Sequence, residues 1–326
     1  MDIRQLRTFV HVAELGSFSK AAERLNIAQP ALSRQIRLLE AELKAPLLVR
    51  HGRGVTLTGA GTVFLDRAAG ILRQIEQARA DVAAEAGDVG GQVSLGMPPS
   101  VGFVLAGPLA EDFRRTYPKV RLKIVEGVGA FVHEWMVGGR LDVGVLYQPE
   151  PSRHLETTPL WREDLYLFAA ADAGLDPSRP APLASLARHP LILPSAGHGL
   201  RGLLERHAAR HEIELHVEIE VDATRIQKEL VARGLGYSVL PFASIAEEVR
   251  EGILSAAPIA APTIPRRVVL AYPVDRPVPR SARLLGDRLI AVVREIFAEG
   301  GWPGMIPELP ALTDDRAERV TPAARR

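Results

Sequence analysis

The chain contains no cysteine among its 326 residues. Disulfide bonds and metal sites built on thiolates are therefore excluded. No apolar run reaches the length of about 20 residues that a bilayer-spanning helix requires. The N-terminal stretch MDIRQLRTF is charged and amphipathic, unlike a signal peptide. Together these absences predict a cytoplasmic protein without a membrane partner.

Motifs of common catalytic sites are also missing. We find no Walker loop, no GxGxxG after the first strand-like segment and no GxSxG elbow. His207 and His211 lie four residues apart on a predicted helix and His216 follows, but the pattern is not HExxH. A solvated, charged helix face is the favoured interpretation of these histidines. The sequence predicts no enzymatic activity, no metal and no bound cofactor.

The net charge is only +1, which argues against a protein that binds polyanions over its whole surface. The charge is unevenly distributed, however. Residues 1–58 contain nine basic and five acidic residues, a net +4, which leaves −3 for the remainder. Positive charge therefore gathers at the N-terminal end, where it is suited to the phosphate backbone of DNA. The length predicts two or more domains.

Residues 17–43, SFSKAAERLNIAQPALSRQIRLLEAEL, predict two short helices joined by a tight turn. Ser17 or Ser19 can cap the first helix, Asn26 suits the turn, and Pro30 is tolerated in a first helical turn. Apolar residues recur at helical spacing in the second helix: Leu32, Ile36, Leu39 and Leu43. Polar residues fall off that face: Gln29, Ser33, Arg34 and Arg37. Glutamine and arginine can form paired hydrogen bonds with base edges, so this pattern favours a helix-turn-helix over an ordinary helical hairpin with solvated charges.

The flanking sequences strengthen this interpretation. Residues 3–13 predict an amphipathic helix that completes a three-helix core. Residues 47–58, LLVRHGRGVTLT, predict a β-hairpin that turns through His51–Gly54. Such a basic hairpin is typical of a wing, and Arg50 and Arg53 are suited to a narrow minor groove.

The N-terminal segment resembles the winged helix-turn-helix of LysR-type transcriptional regulators. The resemblance rests on Leu6, Phe9, Leu47 and Arg50, on GSFSKAAERLNIAQPALSRQIRLLEAEL from Gly16 and on VTLTGAG from Val55. It implies a DNA-binding domain at residues 1–58, an effector-sensing domain, promoter DNA as a partner and RNA polymerase as a further partner. We expect DNA contacts from eight residues: Lys20, Gln29, Pro30, Ser33, Arg34, Arg37, Arg50 and Arg53.

Residues 58–86 predict one long helix capped by Thr58, in which Gly59 and Gly61 keep the first turn slim. Its apolar residues step alternately by four and three: Phe64, Ala68, Ile71, Ile75, Ala78 and Val82. This heptad seam predicts pairing with a second copy, although a helix packed on its own domain is the alternative. The resemblance likewise implies a dimerising linker helix, in a homodimer or a homotetramer. GDVGG from Gly87 breaks the helix and predicts a hinge, so that linker and hinge span residues 59–90.

Residues 91–299 alternate strand-like with helix-like segments, which predicts an α/β fold with a mostly parallel sheet. Here the resemblance implies a two-lobed periplasmic-binding-protein fold. Lobe one would comprise residues 92–162 and 267–299, and lobe two residues 163–266. An effector cleft between the lobes follows from that fold. MPPSVG and HEWMVGGRLDVGVLY resemble the branch that governs nitrogen and sulfur assimilation or aromatic degradation.

The predicted effector residues are Ser100, Val128, Gly199, Arg201 and Thr224. Ser100 opens a helix after the first strand and suits an anion, although a plain helix cap is the alternative. Thr224 follows a strand, and its role is likewise open between an effector contact and a structural one. Arg201 is expected to pair with an acidic effector or with a surface carboxylate. Residues 300–326 are rich in proline, glycine and charge and predict a disordered tail. The alternative function is a solute-binding module or small-molecule enzyme with a helical N-terminal extension.

Overall fold

The computed structural model describes residues 1–52, 54–85, 89–147 and 152–309. The chain divides into two compact units. The first comprises residues 1–156 and 271–289, and the second comprises residues 157–270 and 290–326. The predicted lobe boundaries at 162/163 and 266/267 fall six and four residues from the crossings at 156/157 and 270/271. Within the described ranges, no helix combines the length and apolar character needed to cross a membrane.

The head, which we define as residues 1–58, contains three helices and an antiparallel hairpin. These are α1 (Ile3–Leu15), α2 (Phe18–Leu25), α3 (Gln29–Leu43), β1 (Leu48–His51) and β2 (Gly54–Leu57). Ser17 caps α2 by accepting a hydrogen bond from the Lys20 amide at 3.3 Å, as predicted. Asn26 ends α2 with a φ of 53°, a conformation that asparagine tolerates better than most residues. The tight turn therefore forms where the local sequence predicts it.

The hydrophobic core of the head joins all three helices. Its fully buried side chains include Phe9, Val12, Leu32, Leu39 and Leu47. Small Ala21, also fully buried, leaves space for α3 to approach α2. The apolar spacing in α3 thus identifies the face that packs inward and, by elimination, the face that remains available.

The linker helix α4 (Gly59–Glu85) begins at Thr58, whose hydroxyl accepts a hydrogen bond from the Gly61 amide at 2.9 Å. The structure divides the predicted heptad seam. Phe64 packs on Phe9 with ring centroids 5.2 Å apart, and Ala68 is fully buried in the head core. For these turns the alternative, a helix packed on its own domain, holds. Further along, Ile71 is 38% exposed and Val82 is 75% exposed.

The first unit continues with a parallel sheet. Its elements are β3 (Gly91–Met97), α5 (Pro99–Thr116), β4 (Val120–Glu126), α6 (Gly129–Val137) and β5 (Val143–Tyr147). Strand β3 pairs in parallel with both β4 and β5. This βαβ arrangement follows the predicted alternation and brings the carboxyl ends of β3 and β5 to one edge. The predicted hinge includes residues 87 and 88, which lie outside the described residues.

The remaining elements of the chain lie mostly, but not entirely, in the second unit. They are β6 (Leu155–Ala170), β7 (Ala181–Pro182), β8 (Leu191–Leu193), α7 (Gly199–Arg210), β9 (Val217–Glu220), α8 (Thr224–Ala232), β10 (Ser238–Pro241), α9 (Ala246–Arg250), β11 (Leu254–Ala260), β12 (Pro265–Pro273), α10 (Arg280–Ala298) and β13 (Met305–Pro307). Strands β6 and β12 and helix α10 cross from one unit to the other. In the second unit β6 pairs antiparallel with β10, β11 and β13, whereas β8 and β9 are parallel. The sheet is therefore more mixed than predicted.

The prediction of disorder from Gly300 onward is wrong for its first part. Met305 and Pro307 pair with Glu163 and Trp161, which makes β13 an added strand on β6. Arg267 also forms an ion pair with Glu308. Backbone pairing therefore orders a segment for which the composition alone predicted disorder. The rest of the predicted tail, residues 310–326, lies outside the described residues.

Candidate nucleic-acid interface and ligand-binding residues

The outer face of α3 carries the residues predicted to contact DNA. Gln29, Pro30, Arg34 and Arg37 are exposed, and Ser33 is half-buried. The opposite face holds Leu32, Ile36 and Leu39 in the core. Packing therefore leaves one side of α3 outward, with polar side chains at its N-terminal end, as a helix needs to enter a major groove.

Positive charge on this surface is not neutralised locally. In the described part of the chain, Arg34, Arg37 and Lys20 make no ion pair. Near the start of α3 the Ser19 hydroxyl donates to the Gln29 side chain at 3.3 Å. Uncompensated, exposed cations are suited to phosphate groups, because binding them releases condensed counterions from the nucleic acid.

The wing is fixed to the rest of the head at two points. Arg50 lies 3.9 Å from the centre of the Phe18 ring, and its guanidinium is 3.5 Å from the Ser33 hydroxyl. The Val55 amide donates to the Gly16 carbonyl at 2.9 Å. A side chain at Gly54 would lie 2.6 Å from that same carbonyl oxygen, so only glycine permits the approach. Arg53 lies outside the described residues.

In the first unit, Ser100 and Val128 follow strands β3 and β4. Ser100 is the second residue of α5 and makes no side-chain cap to the helix; its hydroxyl instead hydrogen-bonds the Tyr147 hydroxyl. The plain-cap alternative for Ser100 is thus wrong. Val128 precedes α6 and offers only its backbone carbonyl, which accepts from the Phe131 amide at 2.9 Å. Sequence spacing gave no signal for Tyr147, which ends β5.

In the second unit, Gly199 and Thr224 are the first residues of α7 and α8. Arg201 is already engaged: its guanidinium lies 2.6 Å from Glu205 and 3.3 Å from Glu220, and also donates to the Pro194 carbonyl at 3.2 Å. Of the two roles expected for Arg201, pairing with protein carboxylates is the one present.

Three polar residues that are not among the five predicted effector residues lie near the start of α7. The Ser195 amide and hydroxyl both donate to Asp222, at 3.0 and 2.7 Å. These hydrogen bonds hold the pKa of Asp222 below its usual range. His198 caps α7 by accepting from the Leu200 amide at 3.2 Å. Burial lowers the pKa of His198, while nearby Asp222 raises it and Arg266 lowers it further, so the neutral ring needed for the cap is favoured.

The histidines singled out from the sequence do not converge. His207 is half-buried on α7, whereas His211 follows the helix and is exposed. Burial lowers the pKa of His207, as do Arg210 and His211. Within the ranges described above, no group of three or more metal-ligating side chains is close enough to hold an ion.

Two family profiles match the chain. Residues 3–62 match the bacterial regulatory helix-turn-helix protein, lysR family, and residues 86–294 match the LysR substrate binding domain. Because the first match is to a DNA-binding domain, we do not retain the alternative of a binding module with an incidental helical extension.

Similar proteins are transcriptional regulators. BbuR of Bordetella bronchiseptica is 33% identical over 93% of this chain and 94% of its own length. The nitrogen assimilation regulatory protein Nac of Klebsiella aerogenes is 34% identical over 74% of this chain and 78% of its own length. Among solved structures, CbnR complexed with its target DNA has a TM-score of 0.69 and 26% identity, covering 90% of this chain and 99% of that one. A full-length OxyR variant from Pseudomonas aeruginosa has a TM-score of 0.70 and 27% identity, covering 90% of this chain and 97% of that one. The chain therefore belongs to the LysR family of DNA-binding transcriptional regulators, with an N-terminal helix-turn-helix domain and a two-lobed α/β effector-binding domain.

Proposed function

We propose that this regulator reads promoter DNA by inserting α3 into the major groove. The observation that carries the proposal is the outer face of α3, where Arg34 and Arg37 are exposed and make no ion pair with any described residue. Arginine and glutamine form bidentate hydrogen bonds with guanine and adenine respectively. We assign base reading to Arg34 and Gln29, at the N-terminal half of the helix.

The neighbouring residues position the head on the DNA backbone. Lys20 and Ser33 are suited to phosphate contacts, and Pro30 and Arg37 lie on the same outer side of α3. Arg50, whose guanidinium packs on the Phe18 ring, is assigned to contact DNA from the first strand of the wing. From the sequence alone, we assign Arg53, in the predicted turn of the wing, to the minor groove.

Two heads are needed to read a two-fold symmetric site, and we assign their pairing to the linker helix. Ile71, Ala78 and Val82 are exposed and follow one another at spacings of seven and four residues. This stripe continues the heptad period, which favours a partner helix from a second copy. A homodimer would place its heads on half-sites about 34 Å apart. We extend the assembly to a tetramer in the cytoplasm, with RNA polymerase as a further partner.

A small anionic effector is the proposed ligand of the second half of the chain. In the first unit the Ser100 hydroxyl and the backbone around Val128 offer hydrogen bonds. The second unit offers the N-termini of α7 and α8 at Gly199 and Thr224. Arg201 would serve by exchanging one of its present carboxylate partners for the effector. The similarity to Nac supports a place in the nitrogen-assimilation branch of the family.

The DNA-reading assignment is tested by selecting bound sequences from a random duplex library with the full-length protein. Wild-type protein should enrich a two-fold symmetric sequence with half-sites one helical turn apart. Arg34→Ala should relax the preference at one base pair per half-site by about 1–3 kcal/mol. Arg210→Ala, which removes an exposed arginine from the end of α7, is the matched control and should leave the selected sequence unchanged.

Two results would contradict the assignment. Wild-type protein that enriches no sequence would refute base reading by α3. If Arg34→Ala weakens binding equally on all sequences, Arg34 contacts phosphate and another residue reads the base.

A further inference from the structure

A cavity of about 240 Å³ lies beside α4 within the first unit. Its walls come from the linker helix, from the segment after α6 and from the segment before α10. The polar lining consists of Arg73, Gln74, Gln77, Gly139, Asp142 and Arg276. A volume of this size corresponds to about eight waters, or to a small metabolite, and it contains none of the five residues predicted to bind the effector.

Neutral backbone carbonyls hold both arginines in place. Arg73 donates from Nε to the Gly139 carbonyl at 3.0 Å, and from Nη2 to the same oxygen. Arg276 donates to the carbonyls of Met136 and Leu141, at 2.7 and 2.5 Å. Among the residues that the structure describes, no carboxylate forms an ion pair with either guanidinium.

The nearby carboxylates already have other partners. Asp66 pairs with Arg140 at 3.2 Å, and Asp275 pairs with His154 at 2.5 Å. Asp142 accepts hydrogen bonds from the Ser94 amide and hydroxyl, at 2.8 and 2.6 Å. Among the residues that line the cavity, two guanidiniums face one carboxylate, an excess of one positive charge in the lining.

This surplus charge is costly for the folded protein. Burial is the largest influence on the pKa of Arg73 and of Arg276 and lowers both, although Asp142 raises both; Arg276 lowers the pKa of Arg73 further. Half-buried charges are normally paired, because removing a charge from water without a counter-charge is unfavourable. A bound anion would supply the missing partner.

We propose that this cavity binds a small organic monocarboxylate, whose two oxygens accept hydrogen bonds from Arg73 and Arg276. A single negative charge matches the surplus, and the flat carboxylate suits guanidinium donors. Gln74 and Gln77 line the cavity from the linker helix. Such a ligand would therefore contact α4, which leads directly into the head, independently of the effector assigned above.

Saturation-transfer difference NMR of the full-length protein with acetate tests the proposal, using the methyl signal at constant ionic strength in sodium chloride. We expect saturable binding in the millimolar range. Arg73→Gln and Arg276→Gln should each weaken it about ten- to hundredfold, as expected for a lost hydrogen bond to a charged group. Arg73→Lys, which keeps the charge, should retain measurable binding. Arg79→Gln is the matched control, because Arg79 lies on the same helix, is 69% exposed and should not matter.

Three outcomes would overturn the proposal. The first is no saturable signal from wild-type protein, and the second is unchanged binding in Arg73→Gln and Arg276→Gln. In the third, Ser100→Ala abolishes the signal while the arginine variants keep it, which would place acetate among the predicted effector residues. Far-UV circular dichroism establishes that each variant is folded. If a glutamine variant unfolds, Arg73→Lys and Arg276→Lys decide, since binding that is measurable but weaker than wild type in both folded proteins supports the site, and wild-type affinity in both refutes it.

Discussion

Two glycines two residues apart at the start of α4 are expected to respond oppositely to alanine. Gly61 is buried, and a Cβ there would lie 2.9 Å from the carbonyl carbon of Leu47, closer still to its oxygen, and 3.1 Å from the Leu57 side chain. Gly59 is exposed, and a Cβ there would meet nothing within 4 Å. The prediction that both glycines keep this turn slim therefore holds for Gly61 and is wrong for Gly59.

The magnitude follows from how firmly Leu47 is held. Its amide donates to Glu40 at 2.8 Å, its carbonyl accepts from Thr58 at 3.0 Å, and its side chain is buried. Leu47 cannot retreat without losing these bonds, so Gly61→Ala should cost about 1–3 kcal/mol. Gly59→Ala should instead stabilise the head by about 0.4–1 kcal/mol, because alanine restricts the unfolded chain. The two variants should differ by about 1.4–4 kcal/mol, or roughly ten- to a thousandfold in the opening equilibrium.

Hydrogen exchange detected by mass spectrometry is the suitable assay. The three tryptophans, Trp135, Trp161 and Trp302, all lie outside the head, so fluorescence would not report its opening. Peptides covering residues 47–58 should exchange faster in Gly61→Ala than in wild-type protein and more slowly in Gly59→Ala. If Gly61→Ala is protected as well as Gly59→Ala, the contact with Leu47 does not constrain the head and the reasoning is refuted.

Three further outcomes are expected. Lys20→Ala should reduce the slope of log K against log salt by about one unit in DNA-binding titrations, and an unchanged slope would exclude a phosphate contact. Ser195→Ala should raise the pKa of Asp222 in an NMR titration, because the hydroxyl hydrogen bonds, the largest influence that lowers it, are lost while the bond from the Ser195 amide remains. A depressed carboxyl pKa contributes stability above the unfolded value of about 3.9 and loses it as pH falls through the folded value. Ser195→Ala should therefore destabilise at pH 7 by urea unfolding, and a deficit that persists at about pH 2 would contradict this origin. Val82→Asp should shift sedimentation toward monomer, whereas Val63→Asp, an exposed valine of the same helix off the seam, should not.

The parts of the fold that depend on local chemistry could be predicted from the sequence. The caps at Ser17 and Thr58, the left-handed turn at Asn26 and the buried face of α3 each depend on residues close in sequence. The strands β3, β4 and β5 were also anticipated, because short strand-like segments alternate with helix-like ones: β5 is a buried apolar run, whereas β4 alternates apolar and charged residues. By contrast, β11 and β13 contain prolines and weak alternation, and they are strands because β6 supplies their partners.

The candidate sites also depend on contacts between residues that are far apart in the sequence. Tyr147 is 47 residues from Ser100, and Asp222 is 27 residues from Ser195, so no spacing rule joins them. From the sequence, Arg201 could pair with an acidic effector or with a surface carboxylate. In the structure it forms ion pairs with Glu205 and Glu220. Long-range pairing of this kind depends on how sheets and helices assemble, which one sequence does not reveal.

The hydrogen bond between the Val55 amide and the Gly16 carbonyl has a consequence for how DNA is recognised. It ties the base of the wing to the turn that precedes α2, and Gly54 leaves no space between them. Together with the contact of Arg50 with Ser33 on α3, it connects the wing to the helices of the head through the protein's own contacts. If the wing enters a groove as proposed, the duplex would have to adapt its groove width, and we expect a preference for operators that deform easily even at base pairs that no side chain touches.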